Sequence, residues 1–138
     1  MSAIVADTHA IVWYLSKPEK LSQIAIQTLD QASQSGQLIY ISAISSAISI
    51  VELQYLIERN RIDIAVLDRI IQNIRSPVFS IEIVSLSLKI SIELANIDRA
   101  IVPDMPDRII AATALSLNLP LIICDRKIRA CSTIQTIW

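Results

Sequence analysis

The sequence predicts an α/β fold in which helices cover both faces of a central, mainly parallel sheet. Short runs rich in isoleucine and valine alternate with amphipathic helical patterns from one end of the chain to the other. This alternation is typical of parallel sheets, whose strands are joined by helical crossovers. No low-complexity linker or long-period repeat divides the 138 residues, so we expect one domain over residues 1–138.

Five apolar runs are predicted as strands. Isoleucine and valine dominate them, as in strands that are buried on both faces. The predicted strands are Ala3–Ala6, Leu38–Ile41, Glu82–Val84, Leu121–Cys124 and Ile134–Ile137.

Six helices are predicted between these strands, where apolar residues recur at helical spacing beside polar ones. The first begins soon after Asp7. Pro106 marks the start of the sixth helix, while Pro77 and Pro120 lie beyond the ends of the fourth and the sixth. The other five helices are expected near Leu21–Ser33, Ser46–Arg59, Ile64–Ile74, Ser85–Asn96 and Asp107–Leu117.

A repeated tetrapeptide lies between the second strand and the third helix. Ser42-Ala-Ile-Ser45 is followed directly by Ser46-Ala-Ile-Ser49. Four residues make about one helical turn, with a net rotation of only ~40°. We expect the repeat to be absorbed at the junction, as one added turn or a bulged loop, with Glu52 still facing the acids described below. A helix running continuously from Ser42 would instead move Glu52 by ~6 Å along its axis.

Charge and hydropathy exclude several classes of protein. The 12 basic and 13 acidic residues argue against coating nucleic acid by bulk positive charge. Mean hydropathy is high, at +0.53, but serines, Asn118 and Pro120 interrupt the longest uncharged runs, so no membrane-spanning helix is predicted. The N-terminus lacks the basic region of a secretory signal, and we expect a cytoplasmic protein.

Cysteine, histidine and glycine are too few for several common sites. Cys124 and Cys131 have no further ligands for zinc and are expected to be free thiols. The single histidine, His9, makes no Ser-His-Asp or Cys-His site by itself, and the single glycine, Gly36, forms no glycine-rich phosphate loop. Any catalytic chemistry must therefore depend on other residues.

Four acidic residues lie where predicted strands end or helices begin. Asp7 and Asp125 follow the first and fourth strands, while Glu52 and Asp107 lie in the first turns of helices. The carboxyl ends of parallel strands meet at one crevice, so the four carboxylates are expected to converge. Converging carboxylates repel unless a cation neutralises them, and oxygen ligands suit Mg²⁺ or Mn²⁺. Such an ion activates water for in-line hydrolysis of a phosphodiester.

Each acid also has a simpler explanation. Asp7 could cap the helix that follows it, and Asp107 could favour a helix N-terminus electrostatically. Ser49 and Glu52 fit a capping box, and Asp125 could be an exposed turn residue. The joint requirement, four acids at the same end of one sheet, favours a metal site over these local roles.

Three segments of the chain resemble the PIN domain, in particular the VapC toxins of bacterial type II toxin–antitoxin pairs. The segments are IVADTHAIVWYL, ISIVELQYLIERNRI and DMPDRIIAATALSLNLPLIICDRKI, and the likeness spans essentially the whole chain. The resemblance implies a three-layer α/β/α PIN-like fold and a Mg²⁺- or Mn²⁺-dependent endoribonuclease. It also implies a homodimer, and a cognate VapB-like antitoxin that blocks the site.

The resemblance assigns the catalytic, metal-binding acids of the family to Asp7, Glu52, Asp107 and Asp125. Asp104 matches an additional aspartate of many members, and is expected to support the site rather than to be a principal ligand. Ser49 preserves the family's spacing from serine to glutamate. Thr8 could support the Asp7 carboxylate or cap the next helix.

Basic residues beside the acids are candidates for contacts with RNA phosphates. They are Arg108, Arg126 and Lys127, although a solvated basic turn explains such residues equally well. His9 is expected to be a structural or RNA-proximal side chain rather than a general base. Trp13 is expected in the core or on a dimer surface.

Two departures from the family pattern leave an alternative function open. A threonine or serine usually precedes the fourth acid by two residues, and here that position is Ile123. The doubled tetrapeptide exceeds the usual spacing from the second strand to Glu52. Either change could weaken catalysis. The alternative is therefore a PIN-fold interaction protein that binds its antitoxin, with or without RNA, but cleaves poorly.

Overall fold

The computed structural model describes residues 3–75 and 80–138. Within them five strands form one sheet: β1 Ile4–Ala6, β2 Ile39–Ser42, β3 Ile81–Val84, β4 Leu121–Ile122 and β5 Thr136–Ile137. Their order across the sheet is β3-β2-β1-β4-β5, and each neighbouring pair is parallel. All five predicted strands and the parallel sheet are confirmed, with β4 and β5 shorter than expected.

Seven α-helices accompany the sheet in the described ranges. They are α1 Thr8–Ser16, α2 Gln23–Ser35, α3 Ala43–Glu58, α4 Ile64–Arg75, α5 Leu88–Glu93, α6 Met105–Leu117 and α7 Arg126–Arg129. Two 3₁₀ helices, Pro18–Lys20 and Leu94–Asn96, follow α1 and α5. The six predicted helices are confirmed, whereas α7 and the 3₁₀ turns are too short to show a periodicity in the sequence. None of the helices described is long and apolar enough to cross a membrane.

Local chemistry sets the helix ends. Ser22 caps α2, its Oγ accepting a hydrogen bond from the Ala25 amide at 3.1 Å, and the helix ends at Gly36, whose φ of +66° is left-handed. Helix α6 begins two residues earlier than predicted, with Asp104 at its N-cap and Pro106 in its first turn. Pro77, expected beyond the fourth helix, lies outside the described residues.

The sheet separates two apolar cores, which makes a three-layer α/β/α arrangement. Alternate strand residues point to opposite faces, so Val5 packs on one side while Ile4 and Ala6 pack on the other. The Val5 side includes Ile110 of α6, and the opposite side includes Leu29 of α2. A third, smaller cluster joins α1, α3 and α4.

Helix α3 passes through the doubled tetrapeptide without a break. It begins at Ala43, directly after Ser42 ends β2, and continues to Glu58. The bulged loop is therefore wrong, and the repeat forms the first turns of a continuous helix. Ser46 and Ser49 are buried, at 5% and 4% exposure, because their spacing of three places them on one helix face. Ser42, at the end of β2, is also buried.

Candidate functional site

A cavity of about 380 Å³ opens at the carboxyl end of the sheet. Five acids border it: Asp7, Glu52, Asp104, Asp107 and Asp125. His9 and Ser49 also line it. The acids singled out in the sequence therefore share one cavity, although they come from separate parts of the chain.

Asp7 and Asp125 lie at the point where the strand order of the sheet reverses. From β1 the chain proceeds to β2 and β3 on one side, and it later returns to β4 and β5 on the other. Asp7 directly follows β1, and its amide donates to the Ile122 carbonyl of β4 at 3.0 Å. Asp125 comes three residues after β4. Open parallel sheets bind ligands at such points, where the connecting loops diverge.

The Asp7 carboxylate is partly desolvated and is not engaged in a helix cap. Asp7 occupies the N-cap position of α1, and its side chain makes no capping hydrogen bond of normal geometry, although the amides of Thr8 and His9 lie close enough to affect its pKa. Burial raises the pKa of Asp7, while His9 and the backbone amides of Thr8 and His9 oppose the shift and the charge of Asp125 increases it. The carboxylate is therefore available to a ligand.

Asp107, the third residue of α6, experiences repulsion from the other acids. Burial raises the pKa of Asp107 to about 6, aided by the charges of Asp125, Asp104 and Asp7 and opposed by Lys127. A helix N-terminus by itself favours the ionised form of an acid and lowers its pKa. At Asp107, burial and the repulsion from the other carboxylates together outweigh that lowering.

Asp125 combines a local role with a place at the cavity. Its Oδ1 accepts hydrogen bonds from the amides of Lys127 at 2.8 Å and Ile128 at 3.2 Å, and so caps α7. Both of these bonds use Oδ1. The turn explanation is therefore right about the local contact, but the same carboxyl group also borders the acidic cavity.

Glu52 connects to the other acids through His9. Ser49 and Glu52 lie inside α3 rather than at its start, so the capping-box explanation is wrong. Glu52 Oε2 lies 3.7 Å from His9 Nε2, and His9 Nδ1 lies 3.7 Å from Asp7 Oδ2. The imidazole ring therefore stands between the carboxylates of Asp7 and Glu52.

The donor chemistry of the cavity fits a hard divalent cation. Oxygen ligands from several acids suit Mg²⁺ or Mn²⁺, and the raised pKa of Asp107 reflects a repulsion that a cation would relieve. Across residues 3–75 and 80–138, no three His, Cys, Asp or Glu side chains are grouped closely enough to hold one ion. Side chains would therefore have to rotate inward for three of them to share an ion.

Two uncharged residues, Thr8 and Ile123, lie beside the acids in the sequence. Thr8 does not cap α1, because Asp7 occupies the N-cap. Its buried Oγ1 has no hydrogen-bond partner among the described residues, and such groups are normally satisfied by water or a ligand. Ile123 is buried and borders the cavity with apolar surface at the position where a hydroxyl was expected.

Arg108 has a structural role rather than the expected role as a phosphate contact. Its Nη2 donates to the carbonyls of Leu94 at 3.0 Å and Ile97 at 2.9 Å. The guanidinium thereby ties the second 3₁₀ turn to α6. Hydrogen bonds to two backbone carbonyls orient this group toward the protein, which corrects the sequence expectation.

The other basic candidates lie on α7. Arg126 and Lys127 are exposed to solvent. Lys127 also lowers the pKa of Asp107, so its ammonium group lies near the acids. A role of these two residues in contacts with RNA phosphates stays a prediction.

A groove of about 200 Å³ adjoins the acidic cavity and was not predicted from the sequence. It lies between α1, α3 and α4 and shares His9, Trp13, Ser49 and Glu52 with the cavity. Its walls include the apolar residues Val12, Trp13, Leu53, Leu56, Ile62 and Val66, together with Lys17 and Lys20. The spacing of His9, Val12, Trp13 and Ser16, which places them on one face of α1, is the sequence signal that could have revealed it.

Residues 4–132 match the model of the PIN domain family. A curated relative, Ribonuclease VapC22 of Mycobacterium tuberculosis (strain ATCC 25618 / H37Rv), is 25% identical over 135 residues. The match covers 94% of this chain and 92% of that protein.

Three solved structures have a similar fold. The first, VapBC2 from Rickettsia felis bound to a DNA fragment from their promoter, has a TM-score of 0.68 at 17% identity, covering 98% of this chain and 97% of that chain. FitAcB from Neisseria gonorrhoeae has a TM-score of 0.67 at 19% identity, with 97% and 96% covered. A toxin–antitoxin complex from Klebsiella pneumoniae has a TM-score of 0.63 at 16% identity, with 98% and 96% covered. At these identities the likeness shows the fold, and it confirms the three-layer architecture.

Proposed function

Since the chain belongs to the PIN domain family, we propose that it is a metal-dependent endoribonuclease and the toxin of a type II toxin–antitoxin pair. One observation carries the proposal. Asp7, Asp107 and Asp125 face one cavity, where burial and mutual repulsion raise the pKa values of Asp7 and Asp107. The name of the relative VapC22, a ribonuclease, supports the activity.

The reaction requires that acids, basic residues and RNA meet at the cavity. Asp7, Asp107 and Asp125 would hold Mg²⁺ or Mn²⁺, with Glu52 rotating toward them. A bound ion lowers the pKa of a water molecule and neutralises charge on the phosphate during in-line displacement. Lys127, which lies near Asp107, would contact a neighbouring phosphate together with Arg126.

Three further residues would support this set of ligands. Asp104 adds negative charge beside Asp107 and so strengthens the attraction of a cation. Ser49 lies buried at the cavity wall, one helical turn before Glu52. Thr8 offers a buried hydroxyl next to Asp7. Because its substrate would be cellular RNA, the protein would act in the cytoplasm.

The alternative, an interaction protein that cleaves poorly, has a specific observation in its favour. Helix α3 runs continuously through the doubled tetrapeptide, and the Glu52 side chain is 58% exposed with His9 between it and Asp7. Ile123 also replaces an expected hydroxyl with apolar surface. Both features would weaken the binding of a metal ion at the proposed site.

An antitoxin would dock in the groove beside the acidic cavity. The apolar walls of the groove suit apolar side chains of a peptide segment, and Lys17 and Lys20 suit acidic residues on it. A segment bound there would also block the acids, because the groove and the cavity share His9, Ser49 and Glu52. The similarity to the Klebsiella pneumoniae toxin–antitoxin complex supports such a partner.

A second copy of the chain would cover an exposed apolar face. Ile48, Val51 and Tyr55 recur on one side of α3, while Leu88 and Ile92 are exposed on α5. Helix α6 packs against both α3 and α5. Clustered apolar exposure on a small domain is typical of a protein interface.

Cleavage of RNA in Mn²⁺ tests the proposed activity. We expect the protein and an Asp68→Asn variant, which changes an exposed acid on α4, to cleave total bacterial RNA, and an Asp7→Asn variant to leave it intact. Undiminished cleavage by Asp7→Asn would overturn the acidic site. Intact RNA with the unmodified protein, combined with retained antitoxin binding, would favour the interaction protein.

A further inference from the structure

His9 is the single histidine of the chain, and its ring nitrogens face carboxylates on two different elements. Nδ1 lies 3.7 Å from Asp7 Oδ2 at the end of β1, and Nε2 lies 3.7 Å from Glu52 Oε2 on α3. In the part of the chain that the structure describes, no other basic nitrogen lies within 4.0 Å of a Glu52 oxygen. The connection of Glu52 to the acidic cluster therefore passes through the imidazole.

The imidazole of His9 lies beside the ring of Trp13, which in turn contacts Trp138 and Lys20. Trp13, one helical turn after His9, has its ring centroid 6.1 Å from that of His9. Trp138 contacts the Trp13 ring edge-on at 6.2 Å, and Lys20 Nζ lies 5.6 Å from the Trp13 ring centroid. These contacts limit the positions open to Trp13 and hence to the His9 ring.

We propose that His9 is a positioning residue that couples Glu52 to Asp7. Both distances of 3.7 Å exceed a direct hydrogen bond but lie within ion-pair range, so a small rotation of a side chain brings either carboxylate into hydrogen-bond contact with the ring. The ring addresses the two carboxylates through different nitrogens, Nδ1 toward Asp7 and Nε2 toward Glu52. The ring thereby spans the gap between Asp7 and the exposed Glu52 of the continuous helix.

The coupling can be measured by NMR without metal or RNA, since one histidine gives one set of imidazole resonances. At a single pH, both Glu52→Gln and Asp7→Asn should shift the ¹⁵N resonances of His9. Glu58→Gln, which changes the last residue of the same helix, should not. Trp13→Ala should change the ring-current shift of the His9 protons, and Trp13→Phe should preserve part of it. His9 resonances that are unchanged by Glu52→Gln would overturn the proposal.

A consequence for ion binding rests on the proposed function and is tested separately with Mn²⁺ as the probe. His9→Ala should weaken Mn²⁺ binding by about 10-fold, as does the loss of a group that orients a ligand. Combining it with Glu52→Gln should cost little beyond either change alone, because both remove the same link. His9→Gln should recover part of the affinity, and thermal unfolding of each variant checks that the fold is retained.

Additive losses in the double variant would overturn the coupling at the ion site. If Asp7→Asn leaves Mn²⁺ binding unchanged, the proposed nuclease site fails instead. The imidazole resonances decide the positioning role in either case.

Discussion

Asp107 and Asp125 face the same cavity, and after burial the charge of Asp125 is the strongest influence that raises the pKa of Asp107, to about 6. Neither carboxylate has an arginine or lysine within ion-pair distance among the described residues. Repulsion of this kind destabilises the folded state unless a bound cation neutralises the charges. A divalent cation at the proposed site would use the same charges favourably.

Replacing Asp107 by asparagine should stabilise the protein at neutral pH. The pKa of Asp107 rises from 3.8 to about 6 on folding, so binding of a proton to this group favours the folded state. That contribution to stability is fully present below pH 3.8 and is lost as the pH rises through 6. The shift corresponds to at most ~3 kcal/mol, and partial exposure reduces this to about 1 kcal/mol. Urea unfolding of Asp107→Asn should therefore show a gain of about 1 kcal/mol at pH 7.5 that disappears near pH 3.5.

Asp68→Asn on the exposed face of α4 is the matched control and should leave stability unchanged at both pH values. A clear loss of stability in Asp107→Asn at pH 7.5 would contradict the repulsion and favour a helix-start role for this residue.

Mn²⁺ should stabilise the unmodified protein and not the Asp7→Asn variant. An ion that binds the folded state stabilises it by about 2.7 kcal/mol at 100 times its Kd. Differential scanning calorimetry with and without Mn²⁺ measures the effect. An equal gain in the Asp7→Asn variant would show that the ion binds elsewhere.

Deleting residues 46–49 should increase both Mn²⁺ affinity and RNA cleavage. Because α3 is continuous, the deletion removes about one turn and moves Glu52 by ~6 Å along the helix axis, with a rotation of only ~40°. Calorimetric titration with Mn²⁺ measures the affinity, and Glu52→Gln in the shortened protein should abolish the gain. Unchanged affinity would show that the repeat does not limit Glu52.

A charge placed in the apolar groove should weaken antitoxin binding while leaving RNA cleavage intact. Leu56→Glu puts a carboxylate on the groove wall, and we expect the Kd for the antitoxin to rise by about 30-fold, or about 2 kcal/mol. Ile64→Glu is the control, because Ile64 is 59% exposed at the start of α4 and does not line the groove. Equal effects of the two variants would exclude this groove as the docking site.

A charge on the exposed face of α3 should convert a dimer to a monomer. Tyr55 is 58% exposed beside Val51, so Tyr55→Glu adds a charge where a second copy would pack. Light scattering at micromolar concentration should report a dimer for the unmodified protein and for Ile64→Glu, and a monomer for Tyr55→Glu. A monomeric unmodified protein would contradict the proposed interface.

Much of the fold could be predicted because its signals are local. The alternation of apolar runs and helical spacing predicted all five strands and six helices, and the order of the elements predicted the parallel sheet. Asp7 and Asp125 could be placed at the sheet edge for the same reason. A residue that directly follows a buried parallel strand lies at the carboxyl end of the sheet whatever packs around it.

The direction and partners of individual side chains were decided by the tertiary structure. Arg108 follows Asp107 in the sequence, yet its guanidinium turns away to the carbonyls of Leu94 and Ile97. Trp13 and Trp138 lie 125 positions apart in the sequence. Their rings come into contact because α1 and the end of β5 pack into the same apolar core. No local pattern records such contacts, since they depend on which elements pack together.

Chain order and the spacing of apolar residues establish the element order, the sheet edge at which the acids lie and the residue types of the site, because both signals act over short distances. The tertiary structure decided that α3 absorbs the repeated tetrapeptide as continuous helix, that His9 stands between Asp7 and Glu52, and that an apolar groove adjoins the acids. These features depend on how far a helix extends and rotates against its neighbours. That is set by the packing of whole elements, and the spacing of residues along one element does not encode it.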